Sequence, residues 1–514
     1  MENNDFLKLT TEERGNDGYV ESSAEYILPD YDPDVRKLLY TSCEVKSAGK
    51  LSGEEQTDFS GIVEYRCVYS DKDGEISEVR FTSDYEYGVS LSGDSLDVDS
   101  APIVQNYQVR VLGPRKLAAK AHLTCENVYT NEKRASCDGS SLGEDVEMDK
   151  KNVKCGRIKR VESEERELAE EISRLDGMSL EEVTVISSMS ECELASVTRE
   201  GNEGICKGEF SLGILYRDSE GAVIPISGMI SGEGVVSLDG VPEDAWLVCN
   251  GRVLSERVEA VPTDDGVNIV ANLIVVWEVK CIYNDEHSVI TDAYSTEIEL
   301  ENEYGALNYL TYGEPFRESA SLDGSIAADS GDNGQLREII LMGARGRITE
   351  KSIDDGELSL TLEYKIQGVA SYCDNDGKTV YAPIKLSENT EKKVNLSSKK
   401  CANSGANVQI SKIDLVQKID GNDVKYTVVA ELDIVPYTKH SMQVLTGVVR
   451  DEGRRIERTQ GRVTVYYTDS EDTVFSVAKK YHTTVSSLLE NNRITVETSL
   501  GEEKMRLPKR IVIY

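Results

Sequence analysis

The side chains that could carry acid–base, nucleophilic or metal chemistry are scattered through the 514 residues of this sequence. A hydrolase needs an activated nucleophile, or an acid and a base that a scaffold holds together. With 93 acidic residues, pairs of carboxylates occur by chance, and neither a P-loop nor a GxSxG motif is present. We therefore predict a protein without enzymatic activity, catalytic residues, cofactor or metal. The histidines form no HExxH or other metal-ligand pattern and are His122, His287, His440 and His482.

The cysteines and residues 1–20 indicate in which cellular compartment the protein is found. Eleven cysteines, an odd number, are spread along the chain without a CxxC pair, which favours free thiols in a reducing compartment over a disulfide framework. Residues 1–20 lack the basic stretch and the apolar run of a secretory signal. No window approaches the roughly 18 consecutive apolar residues of a membrane-spanning helix. We expect a cytoplasmic protein that does not insert into a membrane.

Charge separates the end of the chain from the rest. The whole sequence has 57 basic and 93 acidic residues and a net charge of −36. Most of the surface would repel a nucleic-acid backbone or an anionic lipid leaflet, so neither is an expected partner. Residues 461–514 contain eight basic and seven acidic residues, and we expect this nearly neutral segment to be a domain of its own.

Residues 461–514 have the pattern of two strands and two helices. The alternation in residues 463–468 predicts a strand, and Asp472 is placed to cap a helix whose apolar face follows. Residues 484–492 predict a second helix that ends at two asparagines, and residues 510–514 predict a strand that completes the sheet. The segment is thus expected to fold as a small β-α-α-β domain.

Three stretches elsewhere in the chain align without gaps. In each stretch a tyrosine stands five residues before a glycine, and successive tyrosines are roughly 150 residues apart, which is the length of a domain and not of a solenoid repeat. Residues in steps of two before each tyrosine are mostly apolar, which predicts a strand with one buried face. The pairs are Tyr69 and Gly74, Tyr216 and Gly221, and Tyr372 and Gly377.

Each of these strands is expected to continue into a hairpin. The glycine supplies the positive φ of a tight turn, and an acidic residue before it could start the turn. A second hairpin pattern follows, with turn residues at 261–267 and 418–424 between runs rich in Val and Ile. The sequence thus predicts three antiparallel β domains, each a sandwich or a curved sheet. The acidic turn residues are Asp73, Glu220 and Asp376.

Two short helices are predicted around the first repeat. Asp32 followed by Pro33 has the pattern of a helix start, and the helix would be either a plug at one end of the sheet or a binding motif. In the charged stretch before the second repeat, Leu168, Ile172 and Leu175 have helical spacing. That stretch is either a simple linker or a solvated helix whose narrow apolar stripe a partner helix could use.

The predicted fold class is multidomain and mainly β, with three repeated antiparallel domains before a small β-α-α-β domain. The chain would be divided into six segments. They are a flexible tail at 1–21, a β domain at 22–130, a charged linker with a possible helix at 131–180, further β domains at 181–300 and 301–450, and the β-α-α-β domain at 461–514.

Three features together resemble the SPOCS-domain spore coat morphogenetic proteins that end in a LysM domain. They are the PDY-x-PD-V opening at residues 29–35, the repeats with a Tyr-x4-Gly turn, and the terminal β-α-α-β pattern. The resemblance implies SPOCS-like β domains and a non-enzymatic scaffold that works in the mother cell, at the forespore surface. There it would tether coat layers through LysM-mediated binding to a coat-base ATPase and contact other spore coat proteins, and its repeats could self-associate.

The LysM resemblance also implies a binding surface. LysM domains usually bind polymers of N-acetylglucosamine between the loop before the first helix and the loop before the last strand. Here Glu471 and Lys509 each replace a glycine that would let the backbone approach a ligand closely. A protein partner is therefore expected, with peptidoglycan as the alternative. The residues implied to form this partner or glycan surface are Asp472, Thr473, Phe475, Asn491, Asn492 and Pro508.

Overall fold

The computed structural model of the chain is mainly β, as predicted, and its sheets are antiparallel. The strands fall into three successive sets of seven, called units 1, 2 and 3, which are followed by a C-terminal module. The structure describes residues 6–91, 95–136, 142–327, 334–374, 377–396, 405–456, 463–470, 472–494, 497–499, 502–504 and 508–513.

Unit 1 consists of a three-stranded and a four-stranded sheet. β4 is the middle strand between β3 and β5, and the long β7 pairs with β6 on one side and with β1 and β2, end to end, on the other. The strands are β1 (Phe6–Arg14), β2 (Gly18–Ile27), β3 (Lys37–Ser52), β4 (Gln56–Ser70), β5 (Ile76–Ser90), β6 (Ser95–Gly113) and β7 (Lys116–Ser136).

Unit 2 has the same order of pairing. β11 lies between β10 and β12, and β14 pairs with β13 on one side and with β8 and β9 on the other. A 3-10 helix at Leu180–Glu182 precedes β10. The strands are β8 (Val146–Glu162), β9 (Arg166–Asp176), β10 (Thr184–Glu200), β11 (Glu203–Arg217), β12 (Val223–Ser237), β13 (Trp246–Thr263) and β14 (Gly266–Ser295).

Unit 3 repeats this order once more. β18 lies between β17 and β19, and β21 pairs with β20 on one side and with β15 and β16 on the other. The strands are β15 (Ile298–Tyr312), β16 (Phe316–Ala327), β17 (Gln335–Asp354), β18 (Glu357–Cys373), β19 (Thr379–Asn395), β20 (Gly405–Asp420) and β21 (Asp423–Arg455).

The C-terminal module has two helices beside a two-stranded sheet. β22 pairs with β25, and a small β23–β24 hairpin lies between the second helix and β25. No helix in the described part of the chain is long and apolar enough to cross a membrane. The elements are β22 (Thr464–Tyr467), α1 (Val474–Lys480), α2 (Val485–Asn492), β23 (Glu497–Ser499), β24 (Glu502–Lys504) and β25 (Arg510–Ile513).

A hydrophobic core fills the space between the two sheets of each unit. Alternate residues of a strand face one side of its sheet, so the middle strand of each three-stranded sheet points a row of apolar side chains at the long strand opposite. In unit 1, Tyr65 of β4 and Leu123 of β7 are fully buried. In unit 2, Phe210 of β11 packs edge-on against Trp277 of β14, with ring centroids 6.0 Å apart. These cores hold the two sheets of a unit together.

The three units close into a ring. The last strand of each three-stranded sheet contacts the first strand of the next, so that β5 contacts β10, β12 contacts β17, and β19 contacts β3. The long strands β7, β14 and β21 also contact one another. Where the units meet, Leu39 and Val68 of unit 1, Leu215 of unit 2, and Ile340 and Val369 of unit 3 form one buried cluster. Each unit is therefore packed against both of the others.

The three turns after β4, β11 and β18 have a similar geometry, and each contains the predicted glycine. Gly74, Gly221 and Gly377 have φ values of 87°, 82° and 80°. The acidic residue that starts each turn was predicted wrongly, since an aspartate three residues before the glycine accepts main-chain hydrogen bonds with its side chain. These aspartates are Asp71, Asp218 and Asp374, and Asp376 lies outside the described residues.

Residues 166–176 form strand β9, not the predicted helix or linker. Leu168 pairs with Leu273 and Leu175 with Val267 on β14, which places both leucines over one face. A strand would normally put residues seven apart on opposite faces. A bulge at Ile172 adds one unpaired residue to β9 and shifts the alternation of its side chains by one. Leu168 and Leu175 therefore lie on the same face of the sheet. The same apolar spacing therefore fits a bulged strand as well as a helix.

Two predictions near the start of the chain were also wrong. Residues 6–21 are not a tail, because β1 and the start of β2 pair with β7. No helix forms after Asp32. Strand β3 begins at Lys37, and main-chain N–H groups just before it donate hydrogen bonds to other segments of the chain. Val35 donates to the carbonyl of Pro114 at 2.7 Å, and Arg36 donates to that of Ser70 at 2.9 Å. These bonds to other segments replace the bonds that a helix would make within itself.

Candidate functional site

The loop before α1 is ordered by Asp472 and Thr473. Thr473, not Asp472, is the helix cap, and its side chain accepts from the main-chain N–H of Ser476 at 3.0 Å. Asp472 is engaged elsewhere, because its carboxylate accepts from the main-chain N–H of Asp469 at 2.8 Å and from the hydroxyl of Tyr466 at 2.9 Å. The hydrogen bond from the Tyr466 hydroxyl to Asp472 raises the pKa of Tyr466. The side chain of Thr473 is exposed.

The loop before β25 lies against the loop before α1. The Thr468 hydroxyl donates to the main-chain oxygen of Pro508 at 2.9 Å, and the Thr468 N–H donates to that of Lys509 at 3.3 Å. Pro508 and Lys509 are exposed. The structure thus brings Asp472, Thr473 and Pro508 together. We call the surface formed by Thr468, Asp472, Thr473, Pro508 and Lys509 the loop face.

The two asparagines at the end of α2 have different roles and lie away from the loop face. Asn492 donates to the carbonyl of Val512 at 2.8 Å and accepts from the N–H of the same residue, so it fastens α2 to β25. Asn491 is exposed and donates to the hydroxyl of Ser487 at 3.1 Å. Val512 is four residues beyond Pro508, about 13 Å along a strand at ~3.3 Å per residue. The predicted surface therefore divides into two places.

Phe475 is half-buried because it packs against unit 2. Its ring meets that of Tyr294, at the end of β14, edge to face with centroids 5.2 Å apart. The Tyr294 hydroxyl donates to the main-chain oxygen of Thr483 at 2.7 Å. Burial raises the pKa of Tyr294. A residue predicted to face a partner thus faces the protein's own β units.

Two further contacts hold α1 and the loop after it to β14. Lys479 pairs with Asp292 at 2.5 Å, and the ring of His482 lies 3.2 Å from the main-chain oxygen of Ser295. Together with the aromatic pair, they fix the module on one side of α1. Thr473, Pro508 and Lys509 of the loop face stay exposed.

A network of charged side chains joins units 1 and 2 and was not predicted. Arg80 of β5 contacts Glu256 of β13 at 2.7 Å and Glu78 at 2.6 Å. Ser190 of β10 donates to Glu256 at 2.5 Å. Burial alone would raise the pKa of Glu256, but Arg80 and Ser190 lower it below its usual value. Because Arg80 and Glu256 are 176 positions apart, no local pattern indicates that they meet.

Charges from all three units converge where the ring closes. Arg345 of unit 3 donates to the Glu44 carboxylate of unit 1 at 2.9 Å. Burial raises the pKa of Glu191, on β10 of unit 2, to about 7, and the negative charge of Glu44 adds to this effect while Arg345 opposes it. This junction is therefore polar.

Among the described residues, the histidines do not gather into a site. The four histidines lie in β7, β14, β21 and the loop after α1. Among the residues that the structure describes, no group of three or more His, Cys, Asp or Glu side chains could hold a metal ion. The described cysteines are free thiols.

No family model, curated protein or solved structure shows a significant match to the chain. The class of the protein rests on its own architecture, which is a ring of three β units with a small α/β module attached. The SPOCS-like and LysM assignments remain predictions.

Proposed function

We propose that this protein is a non-enzymatic scaffold that binds a partner protein through the loop face of its C-terminal module. The observation that carries the proposal is the way the module is attached. One side of α1 is held against β14 by Phe475 and Lys479, while Thr473 and Pro508 remain exposed. A module fixed in this way presents one constant surface outward.

The three β units are proposed to be three copies of one SPOCS-like domain. Their strands pair in the same order, and each middle strand ends in a turn with a glycine at positive φ. A closed ring with a shared core is a stiff support, since each unit is braced by two neighbours. This suits a protein that holds others in place.

The cellular role that we propose follows from the resemblance to spore coat morphogenetic proteins. In this role the protein works in the mother cell and tethers coat layers to the forespore surface. Its module binds the coat-base ATPase, and the β units contact other coat proteins. The net charge of −36 is compatible with a protein partner and unfavourable for nucleic acid.

A pulldown of the coat-base ATPase with the full chain tests the proposal. Pro508→Glu places a charge in the loop face and should weaken binding at least about tenfold, or ~1.4 kcal/mol. Asn491→Glu adds the same charge at the other, exposed end of the module and is the matched control. Equal binding by both variants and the parent would contradict the proposal.

Peptidoglycan is the alternative ligand of the same face. Sedimentation of the full chain with purified peptidoglycan distinguishes the two ligands. Our proposal predicts that the chain stays in the supernatant. Co-sedimentation that Pro508→Glu abolishes would instead identify a wall-binding protein.

A further inference from the structure

Residues 28–35 of unit 1 join β2 to β3, and we call them the acidic loop. Both ends of this loop are buried, at Leu28 and at Val35. The Leu28 N–H donates to the carbonyl of Arg115 at 2.9 Å, and the Val35 N–H donates to that of Pro114 at 2.7 Å. The acidic loop is thus fastened at both ends to the turn between β6 and β7.

The guanidinium group of Arg115 holds the middle of the acidic loop. It donates to the main-chain oxygens of Pro29 and of Asp32, the latter at 3.1 Å, and to the carboxylate of Asp34 at 2.9 Å. The Asp32 N–H closes a turn by donating to the carbonyl of Pro29 at 3.0 Å. The rings of Pro29 and Pro33 each fix a backbone angle. The loop therefore has little conformational freedom left to lose when it binds a partner.

Tyr31 lies at the tip of this ordered loop and is 86% exposed. Asp30, directly before it, has a fully exposed carboxylate 3.8 Å from the guanidinium of Arg115. Ile27, the last residue of β2, is also exposed. An aromatic ring that is already held in place buries a large area at little entropic cost when a partner covers it.

The fold does not require this arrangement, because unit 2 closes the corresponding loop in another way. The Gly177 N–H donates to the carbonyl of Asp265, as that of Leu28 does to the carbonyl of Arg115. A carboxylate at this position cannot donate to main-chain oxygens as a guanidinium does. The loop of unit 2 forms the 3-10 helix at Leu180–Glu182 instead. Compared with unit 2, the arginine contacts and the exposed tyrosine are particular to unit 1.

We propose that the acidic loop docks on a different protein, whose apolar pocket takes Tyr31 and is rimmed by Lys or Arg side chains. Three aspartates of the loop, at 30, 32 and 34, outnumber the one guanidinium of Arg115, and a cationic rim complements this charge. A second copy of the chain is a poor partner, because two acidic loops on chains of net charge −36 repel each other. The site belongs to unit 1 and does not rest on the loop face of the module.

Photo-crosslinking in the cells that make the protein tests this site. The full chain carries the photoreactive residue p-benzoylphenylalanine in place of Ile27, four positions from Tyr31. The same replacement of Tyr19 is the matched control, since Tyr19 is 73% exposed on the same face of β2. It lies about 26 Å from Ile27 along a strand that rises ~3.3 Å per residue. Position 27 should give one discrete adduct with another protein, and position 19 should not.

Two variants of the acidic loop decide whether the adduct reports the proposed contact. Tyr31→Ala removes the anchor, and Asp30→Lys reverses the charge beside it, so each should lower the yield of the adduct from position 27 at least about tenfold. Tyr19→Ala should leave the yield within about twofold of the parent value. Pro508→Glu should also leave it unchanged, which separates this site from the loop face. Far-UV circular dichroism should not change, because Tyr31 and Asp30 are exposed.

Four results would overturn the proposal. One is the absence of a discrete adduct from position 27. Another is the same adduct, in equal yield, from position 19. The third is an adduct that contains two copies of the chain, which would identify self-association at this loop. The fourth is a yield that Tyr31→Ala or Asp30→Lys lowers no more than Tyr19→Ala does.

Discussion

Phe475 was predicted to contribute to the binding surface, but its contact within the protein could not be predicted from the sequence. The LysM resemblance implied that Phe475 belongs to the partner surface, where aromatic rings are good anchors because they bury a large area at little entropic cost. It meets Tyr294 of unit 2 instead. Nothing in the sequence near Phe475 indicates a tyrosine 181 positions away.

A double-mutant cycle measures this contact. Phe475→Ala and Tyr294→Ala should each lower the free energy of unfolding of the full chain. Together they should cost less than the sum of the two by about 0.5–1.5 kcal/mol, the usual value of an edge-to-face pair. Urea denaturation gives the values. Strict additivity, within about 0.3 kcal/mol, would show that the rings do not interact in solution.

Glu191 should make stability depend on pH. Its folded-state pKa of about 7 lies above the usual value of about 4.3, so the folded protein holds the proton more tightly than the unfolded chain. The resulting stability is full below the unfolded pKa and is lost as the pH rises towards 7. Glu191 is surrounded by protein atoms but keeps part of its surface exposed, so solvent screens its charge and the loss should be on the order of 1 kcal/mol.

Glu191→Gln copies the protonated side chain and checks this dependence. The variant should be more stable than the parent at about pH 8, and the difference should vanish towards about pH 4. Denaturation at several pH values measures it. Glu209→Gln, at an exposed site on the neighbouring strand β11, is the control. A constant difference across the range would exclude Glu191 as the titrating group.

At the scale of elements, the turn after β11 tests which acidic residue holds the hairpin. Asp218 accepts hydrogen bonds from the main-chain N–H groups of Glu220 and Ala222 at 3.0 and 2.8 Å. Asp218→Ala should therefore cost about 1–2 kcal/mol in the free energy of unfolding. Glu220→Ala, at the position indicated by the sequence pattern, should cost less than about 0.5 kcal/mol. Equal costs would mean that the turn does not depend on Asp218.

Strand β9 gives a second test. Leu168 lies over Gly232 of β12, where an added Cβ would come within 2.6 Å of the leucine side chain. Leu168→Ala should cost about 1–2 kcal/mol, because it empties a half-buried position in the core of unit 2. Glu170→Ala, an exposed neighbour on the same strand, is the control. A neutral Leu168→Ala would favour the linker predicted for this stretch.

The strands that could be predicted are those with clear alternation and a turn. The strand before Tyr69 and the hairpins around residues 261–267 and 418–424 are present, because alternation and turn residues are local properties of the sequence. The bulged β9 was not predictable, since a bulge is fixed by the partner strand. The sequence predicted the cap of α1 one residue too early. Asp472 accepts a hydrogen bond from the Tyr466 hydroxyl across the loop, and Thr473 caps the helix instead.

At the scale of the whole molecule, closure of the ring could not be predicted from the sequence. It depends on contacts between strands that belong to different units, such as β19 with β3, and on the charged network of Arg80 and Glu256. Both join residues that are far apart in the sequence, so no local pattern indicates them. The described residues between 464 and 513 share a small core, and the separate domain indicated by the nearly neutral composition of residues 461–514 stays a prediction.

We propose that the C-terminal module tethers the scaffold to its partner. Imaging of the fluorescently tagged chain without residues 461–514 in sporulating cells tests it most directly, with far-UV circular dichroism to show that the β units remain folded. A tether in the module predicts β-type dichroism and loss of the signal from the forespore surface. A folded truncated chain that still gathers at the forespore would contradict it and move the tether into the three β units.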